Sequence, residues 1–310
     1  MKTLHSLPLL WLLALPALAA EQVNQTLDAP ANLLLDVKVQ RGKVEFSPWD
    51  QPKVQVQGTL DELSEGLVFE NRDGRILLED KMPKSYQGNN SAGSMLVIKV
   101  PANLTLSAEA ISADIKLANL NGELTLGTVS GDINAQTLSG KLQVNSVSGD
   151  IGTSKLSGAV ALETVSGTIT DTESTNTDGR YKSVSGDINL KNQAETVRIE
   201  QVSGDTEASL GSAGSLKYNA VSGDAKLSVK GDVKLSAESV SGDIALSLLT
   251  SPDVRLSING GPGGAIHNGL SDDKPLSPKY GPGSKLETRI GEGKGVIEVS
   301  TLSGDISLKK

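Results

Sequence analysis

The stretch VSGDINAQTLSGKLQVNSVSGDI, residues 129–151, carries Ser-Gly-Asp near each end and Ser-Gly-Lys midway. Its glycines, Gly131, Gly140 and Gly149, stand nine residues apart. The series runs outward to Gly122, Gly158 and Gly167 at the same step, and Ala113 extends it one step back. Beyond Gly167 the strong phrase returns at Gly186, Gly204, Gly223 and Gly242, in steps of 19, 18, 19 and 19. Weaker half-repeats lie between, as at Glu195-Thr196-Val197 and Lys230-Gly231-Asp232-Val233. The unit is nine residues, paired into a coil of 18 or 19. Self-similarity at a fixed period marks a chain that stacks one structural unit on the next.

Aligned one coil per row, the columns are nearly uniform. The position before Ser holds Ile111, Val129, Val147, Val165, Val184, Val202, Val221 and Val240, all β-branched. The next column is always Ser, from Ser112 to Ser241. The acidic column is Asp114, Asp132, Asp150, Asp187, Asp205, Asp224 and Asp243, with Thr168 as its exception. Ile115, Ile133, Ile151, Ile169, Ile188, Thr206, Ala225 and Ile244 follow. The alternate half-coil repeats Leu120, Leu138 and Leu156, and places Glu123, Lys141 and Ala159 where Asp would fall. Acid is therefore enriched on one side of the coil.

Val, Gly and Ile alternating with Ser and Asp is strand periodicity. Nine is odd, so the alternation breaks once per unit. Each break is a bend, and two bends close a coil. The reading predicts an all-β fold: a parallel β-solenoid with two faces, built from nine-residue half-coils at 18–19 residues per coil. It expects the Val and Ile columns inside and the Ser and Asp columns outside. Two sheets pack only about 10 Å apart, so such a core suits branched aliphatics better than rings. Only Tyr181 and Tyr218 supply rings between residues 106 and 250. A left-handed hexapeptide helix would need an aliphatic residue every six positions, and this chain repeats at nine. The calcium β-roll phrase also uses nine residues, but here the double Gly is missing and Asp marks one half-coil.

Composition bounds the chemistry. The opening MKTLHSLPLLWLLALPALAAEQ reads as a secretory leader over residues 1–19, with Ala17-Leu18-Ala19 as its cleavage pattern. Export would leave a chain of about 290 residues starting at Ala20 or Glu21, with no transmembrane segment and no cysteine for a lipid anchor. The absence of cysteine also removes thiol chemistry. Net charge is −8, which argues against nucleic acid as a partner. Of the two histidines, His5 lies in the leader, so His267 alone remains for a triad or a zinc site. No catalytic residue and no cofactor is predicted.

The expected organisation follows. Residues 20–105 lack the phrase and read as a β region that starts and caps the array. Residues 106–258 are the regular solenoid. Residues 259–284 are a Gly/Pro-rich loop insertion, and residues 285–310 return to solenoid coils through Leu302-Ser303-Gly304-Asp305-Ile306. The loop carries His267, Asp272, Asp273 and Tyr280 as candidate partner-binding groups.

Three features in order carry a family resemblance. They are Trp49-Asp50 before Val54-Gln55-Val56-Gln57-Gly58, the Val-Ser-Gly-Asp-Ile repeats, and the closing Gly-x-Gly-x-Gly-x-Ile run from Gly291 to Ile297. Over most of residues 30–310 the chain resembles the bacterial putative adhesin family, a domain of unknown function. The resemblance implies a β-solenoid at the cell envelope and no family catalytic residues. The expected role is therefore a non-enzymatic envelope protein, periplasmic or at the cell surface, acting as adhesin or scaffold. Its partner would be an envelope or surface protein or a glycan. A calcium-binding repeat using the Asp column is one alternative. A carbohydrate-active β-helix enzyme using Asp272 or Asp273 is another.

Overall fold

The computed structural model describes residues 21–84, 92–277 and 282–310. Among them are 26 strands and no helix, and most strand pairs are parallel. Among the described residues no helix is long and apolar enough to cross a membrane. The leader and Tyr280 lie outside the described residues.

The N-terminal strands are β1 (Gln22–Asp28), β2 (Leu34–Pro48), β3 (Lys53–Thr59), β4 (Gly66–Arg72), β5 (Arg75–Lys81) and β6 (Ser94–Val100). Strand β7 (Asn103–Ala118) leads into the repeats. Long strands there are β8 (Asn121–Thr128), β10 (Ser139–Ser146), β12 (Ser157–Thr164), β14 (Thr175–Ser183), β16 (Thr196–Gln201), β18 (Ser215–Ser222) and β20 (Lys234–Ser241). Short strands alternate with them: β9 (Ile133–Gln136), β11 (Ile151–Ser154), β13 (Ile169–Thr172), β15 (Ile188–Asn192), β17 (Thr206–Leu210), β19 (Ala225–Val229) and β21 (Ile244–Leu248). The chain closes with β22 (Val254–Asn259), β23 (Ile266–Asn268), β24 (Lys285–Ile290), β25 (Gly295–Ser303) and β26 (Ile306–Lys309).

Long strands pair with long and short with short, in parallel. Leu124, Leu142 and Val160 are in register across β8, β10 and β12, and Ile133, Ile151 and Ile169 across β9, β11 and β13. The core is a continuous run of Leu, Ile and Val columns enclosed by the coils. In four successive coils a non-glycine residue takes a left-handed backbone at the second bend, at Asn119, Thr137, Lys155 and Glu173, with φ of 53–57°.

Both ends depart from chain order in the same way. β2 lies between β7 on one side and β5 with β6 on the other, so the outermost N-terminal coil comes later in sequence than its neighbour. Antiparallel strands then cover that coil: β4 on β5, β3 on β6, and β1 on β3. The Trp49 indole donates to the Lys53 carbonyl at 2.7 Å and so closes the turn between β2 and β3. At the other end, β25 and β26 sit directly on β20 and β21, while β22 and β23 stack outside them. β24 covers β22 antiparallel.

The Gly/Pro-rich stretch 259–284 is not loop throughout. Ile266–Asn268 within that stretch is a strand of the outer coil, with Ile266 buried against Ile306. The Gly/Pro-rich composition serves close backbone approach. A Cβ on Gly264 would fall 2.0 Å from the Gly304 carbonyl oxygen. Covering the last parallel strands with antiparallel ones reduces the open edge that invites aggregation.

Candidate functional site

The repeat phrase forms one corner of each coil, and its inside and outside differ from expectation at one column. Thr128 is buried, Val129 and Ser130 are exposed, Gly131 is buried, Asp132 is exposed and Ile133 is buried. The break in alternation therefore falls between Val and Ser. Ile111, Val129, Val147, Val165, Val184, Val202, Val221 and Val240 are 36–49 % exposed, so this column is a surface ridge and not a core ladder. Leu302 continues it at 57 % exposure.

The physical reason lies one residue earlier. Thr128, Ser146, Thr164 and Ser183 turn inward, and their hydroxyls accept the N–H of Gly131, Gly149, Gly167 and Gly186 at 2.8–3.0 Å. A polar side chain thus caps the bend from inside, and Val is turned out. The signal was present in sequence as a column of Thr, Ser, Gln or Ala before each Val. The inward glycine is forced by the next coil. A Cβ on Gly149 would lie 1.8 Å from the Gly131 carbonyl oxygen, and one on Gly186 1.8 Å from that of Gly167.

The Asp column is tied to the backbone. Asp114 Oδ1 accepts the N–H of Asp132 at 3.0 Å, Asp132 that of Asp150 at 2.9 Å, and Asp150 that of Thr168 at 2.8 Å. The series resumes with Asp187 to Asp205, Asp205 to Asp224, Asp224 to Asp243 and Asp243 to Asp305, at 2.7–3.0 Å. Asp305 ends it by accepting from Ala265 of the outer coil at 2.9 Å. Each carboxylate thereby holds the N–H that the corner of the adjacent coil presents, which offsets repulsion along the column. Among the described residues no group of three or more His, Asp or Glu is placed to hold a metal ion.

The C-terminal candidates separate into different contacts. His267 Nε2 lies 3.6 Å from Asp305 Oδ2, with both side chains about half exposed or more. Asp273 accepts from the hydroxyls of Thr288 and Ser271, which hold its carboxyl below the usual carboxylate range. It lines a half-open cavity of about 790 Å³ with Asn259, Pro262, Leu276 and Glu287. His267 is not in that lining, and Asp272 is exposed.

Sequence reasoning missed an interior polar network. Asp171, fully buried on β13, accepts the Tyr181 phenol at 2.6 Å, the Asn192 amide at 2.8 Å and the Thr153 hydroxyl at 2.9 Å. Ser174 donates to it as well, and Asn176 donates to the Tyr181 oxygen at 3.1 Å. Burial first, then the Asp171 charge, pushes the Tyr181 phenol well above the usual tyrosine range. The sequence signals are Asp171 and Thr153 in a column whose other members include Leu117, Ala135 and Leu190, and Asn192 in a column with Leu210 and Val229.

The sequence model of the family described as Toastrack DUF4097 matches residues 34–220. Solved structures match the chain at low identity. A putative adhesin from Parabacteroides distasonis is 15 % identical, with a TM-score of 0.45, covering 91 % of this chain and 98 % of that one. A putative adhesin from Parabacteroides merdae is 14 % identical, with a TM-score of 0.45 and coverage of 90 % and 96 %. A putative cell adhesion protein from Clostridium sporogenes is 15 % identical, with a TM-score of 0.28 and coverage of 94 % and 99 %. No curated protein matches the chain.

Proposed function

The chain belongs to the Toastrack DUF4097 family, and from that premise we propose that it is an exported, non-enzymatic scaffold of the bacterial envelope with an adhesin-like binding role. The observation that carries this reading is the Asp ladder. The acidic column of the repeat phrase places a carboxylate oxygen on the N–H of the adjacent coil at nearly every rung. A residue fixed in this way builds a rod; it is not poised as an acid, a base or a nucleophile. The leader over residues 1–19 and the acidic balance of −8 support export and solubility.

A rigid array of near-identical coils offers a long surface on which contacts add along one axis. The partner expected is an envelope or surface protein or a glycan. The test is capture of partners from envelope extract by the mature chain, paired with attachment and envelope-integrity assays on a deletion strain. Specific capture together with impaired attachment or integrity is the expected result. Unchanged attachment and integrity with no specific capture would overturn the reading.

A further inference from the structure

The exposed Val column is a long apolar feature among the described residues. From Ile111 to Leu302 it has nine rungs at the strand spacing of about 4.8 Å, hence roughly 38 Å in length. Backbone bonds link successive corners: Ser130 N–H to the Ile111 carbonyl, Ser148 to Val129, Ser166 to Val147 and Ser185 to Val165, all at 2.8–2.9 Å. Neither this column nor the Ser column beside it contains a charge. Two separate cavities flank its strand side, one of about 430 Å³ beside Val129 and Val147 and one of about 520 Å³ beside Val240 and Leu302. Both carry charge in their lining, Lys38 and Glu109 in the first and Lys217 and Glu238 in the second.

We propose that this ridge docks a second copy of the same chain, side by side and parallel, about a two-fold axis along the solenoid. Three observations select this occupant. First, a comb of apolar rungs at about 4.8 Å matches along its whole length only another stack of parallel strands, and a second copy carries that comb with the same 18- and 19-residue coils. Second, a two-fold axis along the rod sets ridge beside ridge, the isologous arrangement of a closed dimer. It also places the two Asp columns on opposite outer sides; an axis across the rod would bring them to the same side. Third, the area suits a dimer. A fully buried Val removes about 60–120 Å² from water, so nine rungs near half exposure supply on the order of 400 Å². The uncharged, exposed Ser column beside them raises this toward the about 800 Å² each partner gives to a standard interface.

The experiment uses the mature full-length chain, which has no cysteine of its own. Sedimentation velocity at micromolar concentration reads the oligomeric state of the wild type and of a triple variant, Val147→Lys with Val165→Lys and Val202→Lys. Separately, Val129→Cys, Val184→Cys and Val221→Cys are each oxidised. The expected results are a wild-type dimer, a Lys variant that is monomeric and still unfolds cooperatively, and a disulfide-linked dimer from all three Cys variants. Self-linking at every height is specific to a parallel two-fold axis. A monomeric wild type that does not cross-link would overturn the proposal. So would cross-linking confined to Val184→Cys at the middle of the ridge, which marks an antiparallel pair. The Cys variants keep the test decisive if the Lys variant fails to fold. Because the readout needs purified protein alone, a negative result leaves the envelope role to its own assay.

Discussion

Tyr181 and Asp171 meet across the interior, the phenol of one donating at 2.6 Å to the carboxylate of the other. The ring has room because Gly179, two residues earlier on β14, lacks a side chain. A Cβ there would lie 2.9 Å from the ring. Neighbouring coils hold Val160 and Val197 in register with Gly179, and Leu162 and Ile199 in register with Tyr181. The coil thus exchanges two aliphatics for a ring and a gap, and the hydroxyl anchors a polar network in an apolar column.

Removing the Tyr181 hydroxyl leaves Asp171 and two amides short of a buried partner. Tyr181→Phe is expected to cost about 1–3 kcal/mol in denaturant unfolding. A loss below a few tenths would show that the network adds nothing to stability.

The buried phenols set an alkaline limit. Tyr218 is pushed up to about 12 by burial, and Tyr181 is raised as well. Both are neutral when folded and ionise near 10 when unfolded. Their stabilisation is complete below pH 10 and is lost as pH rises from there through the folded values. For Tyr218 the loss reaches about 2–3 kcal/mol by pH 12. Between pH 9 and pH 12 the wild type should lose stability relative to Tyr218→Phe by that amount; unfolding curves that stay parallel across this range would contradict this.

At the second bend, Thr137 holds φ of 53°, a left-handed conformation that a β-branched residue adopts at a cost. Thr137→Asn or Thr137→Gly is expected to raise stability by about 0.5–1 kcal/mol, read as a higher melting temperature. Asn119 already supplies the favoured residue one coil earlier.

Asp150→Ala removes the acceptor for the Thr168 N–H and is expected to cost about 1 kcal/mol. Asp150→Asn keeps an acceptor and removes one charge from the column, so its cost should be smaller. Added calcium should leave the melting temperature unchanged, by calorimetry and thermal unfolding. A clear upward shift would return the Asp column to the metal reading.

Much of the fold was legible in residues 106–258, because a fixed period can be satisfied only by stacking like on like. Which columns face inward was harder. With nine residues per unit the alternation must break once, and composition suggests a β-branched residue for the core. The break is decided by a hydroxyl at Thr128 or Ser146 that caps a glycine N–H, and such a residue reads as surface. The end caps were less legible still. Register repeats at every coil, so the phrase at Leu302-Ser303-Gly304 announces a corner without saying which corner it covers. Only the stacking of Gly304 on Gly242 shows that the last stretch of chain sits inside the coil that precedes it. The Asp171 network left only slight traces, Asp171 with Thr153 and then Asn192 in columns that are otherwise aliphatic.

The central claim is that each corner turns Val and Ser outward and Gly and Ile inward. It is tested most directly by comparing Val147→Lys with Ile151→Lys in denaturant unfolding at low protein concentration. The account predicts that Val147→Lys folds within about 1 kcal/mol of the wild type, because Val147 is 44 % exposed. It predicts that Ile151→Lys fails to fold or loses more than about 4 kcal/mol, because Ile151 is fully buried. Loss of folding in Val147→Lys with tolerance of Ile151→Lys would contradict it.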